Sequence, residues 1–486
     1  MTHQTTARFP SYKWAWPSGN LDQLLVAALA VDHTQALAAF EQWLADNDLD
    51  SATFSEHRLL AAIVERLGRS IASWPEYPRL QGLQRLNWTK SRMTVHESLP
   101  AIKAMTDRGL RVILVKGAAR VAENPTEQKS RTSYDIDVLM NDADFEAAFE
   151  ILAEDGWQST RGESVMGLRG RLSTVRARNF KKGRFGDIDL HRKAYRSENQ
   201  HNLADAALLQ AAIPRSYFGA PVFIPTPEER LAMAIAHGGW DGHSHSDWLV
   251  DCGTIIRTNS VDWVEFGNII QQRNLYTGAM IALSYLCTRM GLPLDAEIRR
   301  LETLAPRFDA ITRIPDLVLA KDETALNTPT KSLRRLIVLL RRFNLSGRNT
   351  AVDTPRIYGR IKRAVTGGDA AGRTAVAQIH AAHTGKVRID LEMELDLPAA
   401  RRRVEFELNS ADRNIAHFTL LSLRENERRV VVRFTGKTVL QDGETDLELR
   451  AMPGKFMDDD EHRAEVLAKY RAVPFTILGK ATFNTC

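Results

Sequence analysis

From Leu21 to about Met105, apolar residues recur at steps of three and four, as in LDQLLVAALAVDHTQALAAFEQWLADN, and this period predicts a helical lead-in. After TDRG (106–109) the period changes. RVILVKG (111–117) is a short β-branched run ending in glycine, the pattern of a buried strand entering a tight turn. DIDVLM (135–140) predicts a second strand. Asn141 and Asp142 then supply helix-start chemistry for DADFEAAFEILAEDG, with Phe145, Ala148 and Leu152 on one face and Gly156 as the stop. The stretch 169–186 reads as a strand and turn, and RFGDIDLHR as a third strand. IPTPEERLAMAIAHGGW opens a second helical region, with Pro227 in its first turn, that continues to about Phe343. Residues 349–384, which include TGGDAAGRTA, read as a linker or long connection. From Lys386 the pattern alternates in runs such as VRIDLEMELDL, RRVEFELN and RRVVVRFTG, which predicts an all-β unit built as a small sandwich. The expected organisation is thus an α+β chain: a helical region over 1–105, a mixed core over 106–225, helices over 226–348, a linker over 349–384 and a β-rich domain over 385–486.

Composition agrees with several domains. The chain has 486 residues, 44% hydrophobic and 26% charged, which suits a folded protein of several units of about 100–200 residues each. No apolar run approaches the roughly 18 residues that cross a bilayer, and the opening lacks the apolar centre of a signal peptide, so a cytoplasmic protein is expected. Three scattered cysteines, Cys252, Cys287 and Cys486, give neither a disulfide framework nor a zinc spacing. The net charge of +5 is unevenly spread. RGRLSTVRARNFKKGRFG (169–186) has many cations and no acid, and it reads either as an attractor of a nucleotide or anionic acceptor or as a solvated hairpin. KSLRRLIVLLRRFN (331–344) predicts an amphipathic helix with Leu and Ile on a core and arginines in solvent; a nucleic-acid or membrane-surface role is the alternative.

The chemistry concentrates in the predicted strands. Successive strand side chains point to opposite faces, so Asp135 and Asp137 share one face and Ile136 and Val138 the other. Two carboxylates about 7 Å apart along a strand repel unless a cation lies between them, and all-oxygen ligands suit Mg²⁺ or Mn²⁺. A bare D-x-D is also the ordinary polar side of a half-exposed strand. GDIDLH adds a second acidic strand with Asp187, Asp189 and His191 on one face, and a third carboxylate beside the first pair is what a two-metal phosphoryl-transfer site needs. LVKGAAR (114–120) places Lys116 and Gly117 at a turn that can offer N–H groups and an ammonium to phosphate oxygens. His191 reads either as a substrate contact or as a packed strand-end histidine. HGGWDGHSHSD (237–247) lacks the helical histidine spacing of a zinc site and reads as a polar interhelical loop, with His237 able to face a cleft.

The ordered set Lys116–Gly117, Arg131 four residues before D-I-D, D-V-L-M and D-L-H resembles the uncharacterised nucleotidyltransferase-like family of the DNA polymerase beta superfold. The resemblance runs over about residues 85–260 and includes HSDWLVDCGTIIR, similar to the family's tryptophan–apolar–apolar–aspartate helix; it leaves out the β-rich end. It implies a polymerase-beta-like core within 106–225, a mixed sheet with flanking helices, and transfer of a nucleoside monophosphate from an NTP such as ATP to an acceptor hydroxyl with loss of pyrophosphate. It also implies Asp135, Asp137 and Asp189 as metal ligands and Lys116, Gly117 and Arg131 at the phosphates; Asp187 and His191, which share the strand face of Asp189, stand beside these as further candidate site residues. The acceptor, whether protein, RNA, sugar or small molecule, is not specified. Gly117 is followed by Ala118 and Ala119 where the superfold usually has serine or glycine, so phosphate binding would lean on backbone and cations. Two other readings stand beside it: a non-catalytic nucleotide- or protein-binding scaffold of the same fold, and a D-x-D sugar-nucleotide glycosyltransferase.

Overall fold

The computed structural model describes residues 11–131, 133–169, 172–195, 202–241, 247–306, 309–322, 325–346, 355–365, 374–396, 403–410, 413–421, 429–452, 473 and 475–485. The chain divides into two compact units, one of residues 1–151 with 183–348 and one of 152–182 with 349–486. It is an α+β protein.

The first unit begins with α1 (Asn20–Leu29), α2 (His33–Asp46), α3 (Phe54–Leu67) and the long α4 (Tyr77–Asp107). Local chemistry starts these helices: Asp32 caps α2, and Thr53 and Glu56 form a reciprocal capping box on α3. There follow β1 (Ile113–Leu114), α5 (Lys116–Glu123), β2 (Ile136–Leu139) and α6 (Asp142–Glu154), after which Gly156 takes the left-handed conformation expected of a helix stop. In the second unit lie β3 (Gln158–Ser159), α7 (Val165–Arg169) and β4 (Ala177–Lys182). The first unit resumes with β5 (Gly186–His191), α8 (Asn202–Ala211), β6 (Ile213–Tyr217) and β7 (Ala220–Ile224). It continues as α9 (Pro227–Asp241), α10 (Asp247–Thr258), α11 (Trp263–Gln272), α12 (Tyr276–Met290), α13 (Asp295–Glu302), α14 (Asp309–Ala320) and α15 (Thr328–Ser346).

Five strands of this unit run in the order β5-β2-β1-β7-β6. β2 is parallel to β5 and antiparallel to β1, and β1 is parallel to β7, so the sheet is mixed. The β6–β7 hairpin has no counterpart in the sequence reading. Its turn uses Phe218 and Gly219, both at positive φ, which matches the twist of two-residue hairpins. Pro214 and Pro221 lie in the paired strands and interrupt the pattern that would have announced them. One apolar core joins the lead-in helices to α8–α13, with Phe40, Trp43, Phe266 and Tyr285 fully buried.

In the second unit, residues 349–384, expected as a linker, hold β8 (Arg356–Ala364) and β9 (Val376–His380). Gly359 is there for packing: a β-carbon on it would lie 2.5 Å from Phe434 and 2.7 Å from Val432. The remaining strands are β10 (Gly385–Asp396), β11 (Arg403–Asn409), β12 (Asn414–Leu421), β13 (Arg429–Leu440), β14 (Asp446–Ala451), β15 (Phe475–Ile477) and β16 (Thr482–Thr485). The expected sandwich is corrected to one continuous curled sheet in the order β15-β10-β13-β8-β12-β11-β14-β9, with β16 also on β10. β8 joins what would be two sheets, pairing parallel with β12 and antiparallel with β13. Beyond the far edge, Thr374 bridges back to Phe475 on the near one. The inward face is the alternating apolar set the sequence displays, including Val387, Ile389, Leu391, Met393 and Leu395 of β10. None of the described helices is long and apolar enough to cross a membrane.

Candidate functional site

Parallel pairing of β2 and β5 sets Asp137 opposite Asp189 and Leu139 opposite His191. Because side chains alternate, Asp137, Asp189 and His191 emerge on one face of the sheet while Ile136, Val138, Ile188 and Leu190 are buried on the other. Asp137 is 3% exposed. Its Oδ1 accepts from Lys116 Nζ at 2.5 Å and meets His191 Nε2 at 3.0 Å. The same His191 nitrogen lies 2.8 Å from Asp189 Oδ2. Ligand atoms of Asp137, Asp189 and His191 all lie within 4.8 Å of one another, the spacing of a group that can hold a divalent ion. Asp189 Oδ1 is buried and has no hydrogen-bond partner among the described residues, a cost that an ion on it would remove.

The charges are strongly unequal. Burial, aided by the negative charges of Asp137 and Asp189, pushes the Asp135 carboxyl up to about 6. Burial also resists ionisation of Asp137 and Asp189, but Lys116 and His191 outweigh it at Asp137, and chiefly His191 at Asp189, holding both below the usual carboxylate range. Lys116 and His191 answer in kind: burial favours their neutral forms, yet the facing carboxylates hold both above their ordinary values.

Lys116 reaches this cluster from a strained turn. Val115 donates its amide to Asp137 O, and Lys116 then adopts φ 51° to start α5, a left-handed conformation unfavourable for a residue with a side chain. At Gly117, a β-carbon would lie 3.1 Å from Ser133 Oγ and 3.7 Å from Arg131 Cζ, so the helix start is packed closely under the segment leading to Asp135. Ser133, whose hydroxyl donates to Asp135 O, lines the cleft. So do Arg58 of α3 and Arg230 of α9, both missed from sequence because distant helices deliver them. Met233, His237 and Trp248 give the far wall an aromatic and apolar character.

Arg131, expected at the phosphates, lines the cleft and is also ion-paired within it. Its guanidinium is buried, ion-paired to Asp247, and bonded from Nε to Asp251 Oδ1 at 2.9 Å and from Nη2 to Asp251 Oδ2 at 3.1 Å. Those aspartates are one turn apart on α10, so Arg131 ties the acidic strand to that helix. Asp247 also pairs with Arg58, and Asp251 with Arg120. Arg230 forms a two-pronged pair with Glu123, so each cleft arginine carries an acidic partner. Asp187 is buried near the start of β5, where its amide donates to Ser98 Oγ, and it lies outside the Asp137–Asp189–His191 group. Glu97 of α4 holds that strand start by accepting from the amides of Phe185 and Gly186 at 2.8 and 2.9 Å.

In the basic stretch, Arg178 is buried and pairs with Glu163, and Lys182 pairs with Asp155; Gly170 and Arg171 lie outside the described residues. Of the histidine-rich loop, 242–246 also lie outside them.

A family model described as "Uncharacterised nucleotidyltransferase" matches residues 48–291, just over half of the chain and the whole of this site. No curated protein and no solved structure matches. The chain belongs to that family.

Proposed function

We propose that this member of the uncharacterised nucleotidyltransferase family transfers a nucleoside monophosphate from an NTP to an acceptor hydroxyl, with pyrophosphate leaving, on a polymerase-beta-like core. The observation that carries the reading is the convergence of Asp137, Asp189 and His191 within 4.8 Å, with Lys116 on the same carboxylate oxygen. Asp137, Asp189 and His191 are the residues that would hold Mg²⁺ or Mn²⁺, with Asp135, which lies outside their 4.8 Å group but lines the same cleft, as a further carboxylate. Bound there, the ions supply Lewis acidity that lowers the pKa of the acceptor hydroxyl and neutralises charge on the phosphates.

The chain's own groups do the rest. Lys116 stays protonated beside Asp137, and its ammonium would be a donor to phosphate oxygens at the cleft. His191, bridging Asp137 and Asp189, keeps the two carboxylates together in advance and limits the reorganisation needed on loading. The start of α5 has no side-chain cap, so its first amides can donate to phosphate oxygens in place of the missing serine. Met233 and Trp248 offer a face against which a base or acceptor ring can lie.

Incubation with NTPs labelled at the α-phosphate, Mg²⁺ or Mn²⁺ and candidate acceptors tests this. Metal-dependent label transfer that Asp137→Ala and Asp189→Asn both abolish is the expected result. A folded protein that neither binds nor transfers any nucleotide overturns it. One observation favours the scaffold reading as second choice: Lys116 and His191 already neutralise Asp137, so the fold can persist without an ion. Tight nucleotide binding without transfer is its signature.

A further inference from the structure

Helix α15 buries one line of side chains and exposes another. Ile337 is buried with Val318 and Leu319 of α14. Arg334 donates to the carbonyls of Val318 at 3.3 Å and Lys321 at 2.8 Å, which fixes the side turned to α14. Leu333, Leu336 and Leu340 fall three and four residues apart and so form a stripe beside that line. They are 40%, 49% and 55% exposed, and Leu339 is 49% exposed, against the expectation that the leucines of this segment face a core. Single exposed leucines are ordinary, but four on one helix form a contiguous apolar patch.

The charge around the patch is equally one-sided. Residues 328–348 carry Lys331, Arg334, Arg335, Arg341, Arg342 and Arg348 and no acid. The whole chain carries +5, so with +6 in this segment the remainder sums to −1. The segment is thus one of two strongly basic runs in the chain, the other being 169–186. A second copy docking through the same stripe would bring two such segments together and repel. Nucleic acid would use the cations and leave the leucines in water. An anionic lipid surface uses both: acyl boundary for leucine, headgroups for arginine and lysine.

We propose that α15 is a membrane-surface helix that lies in the interface of an anionic lipid bilayer, with Leu333, Leu336 and Leu340 entering the acyl boundary. The protein would then be held on the bilayer and not across it.

Flotation of the full chain with phosphatidylcholine vesicles, with and without phosphatidylglycerol, tests the assignment. Binding to the phosphatidylglycerol vesicles that weakens with salt is expected. The Leu336→Glu, Leu340→Glu double variant is expected to bind about tenfold more weakly or worse. Lys331→Ser with Arg335→Ser is expected to lose the salt dependence in part. Both pairs should keep the wild-type circular dichroism and gel-filtration volume, because none of the four side chains is buried. The assignment falls if the folded wild type ignores anionic vesicles, or if the leucine variant binds them as well as wild type does. It also falls if vesicles are ignored while an oligonucleotide is bound, or while the leucine variant abolishes a concentration-dependent dimer.

Discussion

Asp137 Oδ1 meets two nitrogen bases at once, Lys116 Nζ and His191 Nε2, and that crowding explains why a carboxylate so deeply buried stays ionised. Strand alternation in the sequence is enough to put Asp137, Asp189 and His191 on one face, whereas Asp135, just before β2, and Asp187 fall outside their group. Arg131 was not legible in the same way. Its acidic partners on α10 come more than a hundred residues later, and no local spacing announces a pairing of that range. A measurable difference follows. Arg131→Met strands Asp247 and Asp251 with only Arg58 and Arg120, and unfolding by urea should show a loss of roughly 3–5 kcal/mol. Arg131→Lys should recover only part of it, since an ammonium cannot span two carboxylates as a guanidinium does. Unchanged stability together with weakened nucleotide binding would return Arg131 to the phosphates.

At the level of elements, the site depends on where short pieces begin. β1 is only two residues long, and β5 is started by a side chain of another element, Glu97 of α4, which accepts from two turn amides. Glu97→Ala leaves those amides without it and should cost about 1–3 kcal/mol. Because β5 delivers Asp189, the same variant should also weaken divalent-ion binding, read by calorimetry. Full metal affinity with reduced stability would show that β5 holds its register unaided. The strong helical periods were plain in the sequence, whereas β6, β7 and β8 were hidden for identifiable reasons. Prolines break the first two, and β8 is a strand of Arg and Lys around Ile357 whose Gly359 looks like a linker residue but lies against Phe434. Gly359→Val should therefore destabilise the curled sheet by several kcal/mol, by overpacking at a β-carbon with no room. A denaturant midpoint equal to wild type would mean that Phe434 and Val432 can move aside.

Across the whole molecule, sequence periodicity distinguishes α from β but does not say whether a run of strands stacks as two sheets or curls as one. The deciding contact is the double pairing of β8, which depends on strands far apart in sequence. Stability has a similarly distributed determinant. Glu229 on α9 is buried with Tyr195, Arg273 and Asp205, and accepts from the Tyr195 hydroxyl at 2.6 Å. Burial pushes its carboxyl up to about 7 from an ordinary value of 4.5, despite Tyr195 and Arg273 favouring the charged form. Between those values the folded chain holds a proton that the unfolded chain has released, so this group's contribution to stability falls as pH rises through the window. Two and a half units correspond to on the order of 3 kcal/mol, lost by about pH 8 and fully present near pH 4. Asp135, raised to about 6, acts in the same direction over a lower range, so the useful quantity is variant minus wild type. Glu229→Gln keeps a carbonyl for Tyr195 and cannot ionise. It should be more stable than wild type at about pH 8 and converge with it toward about pH 5, measured by urea midpoints across that range. A constant difference at every pH would mean that Glu229 is ionised throughout, balanced by Arg273.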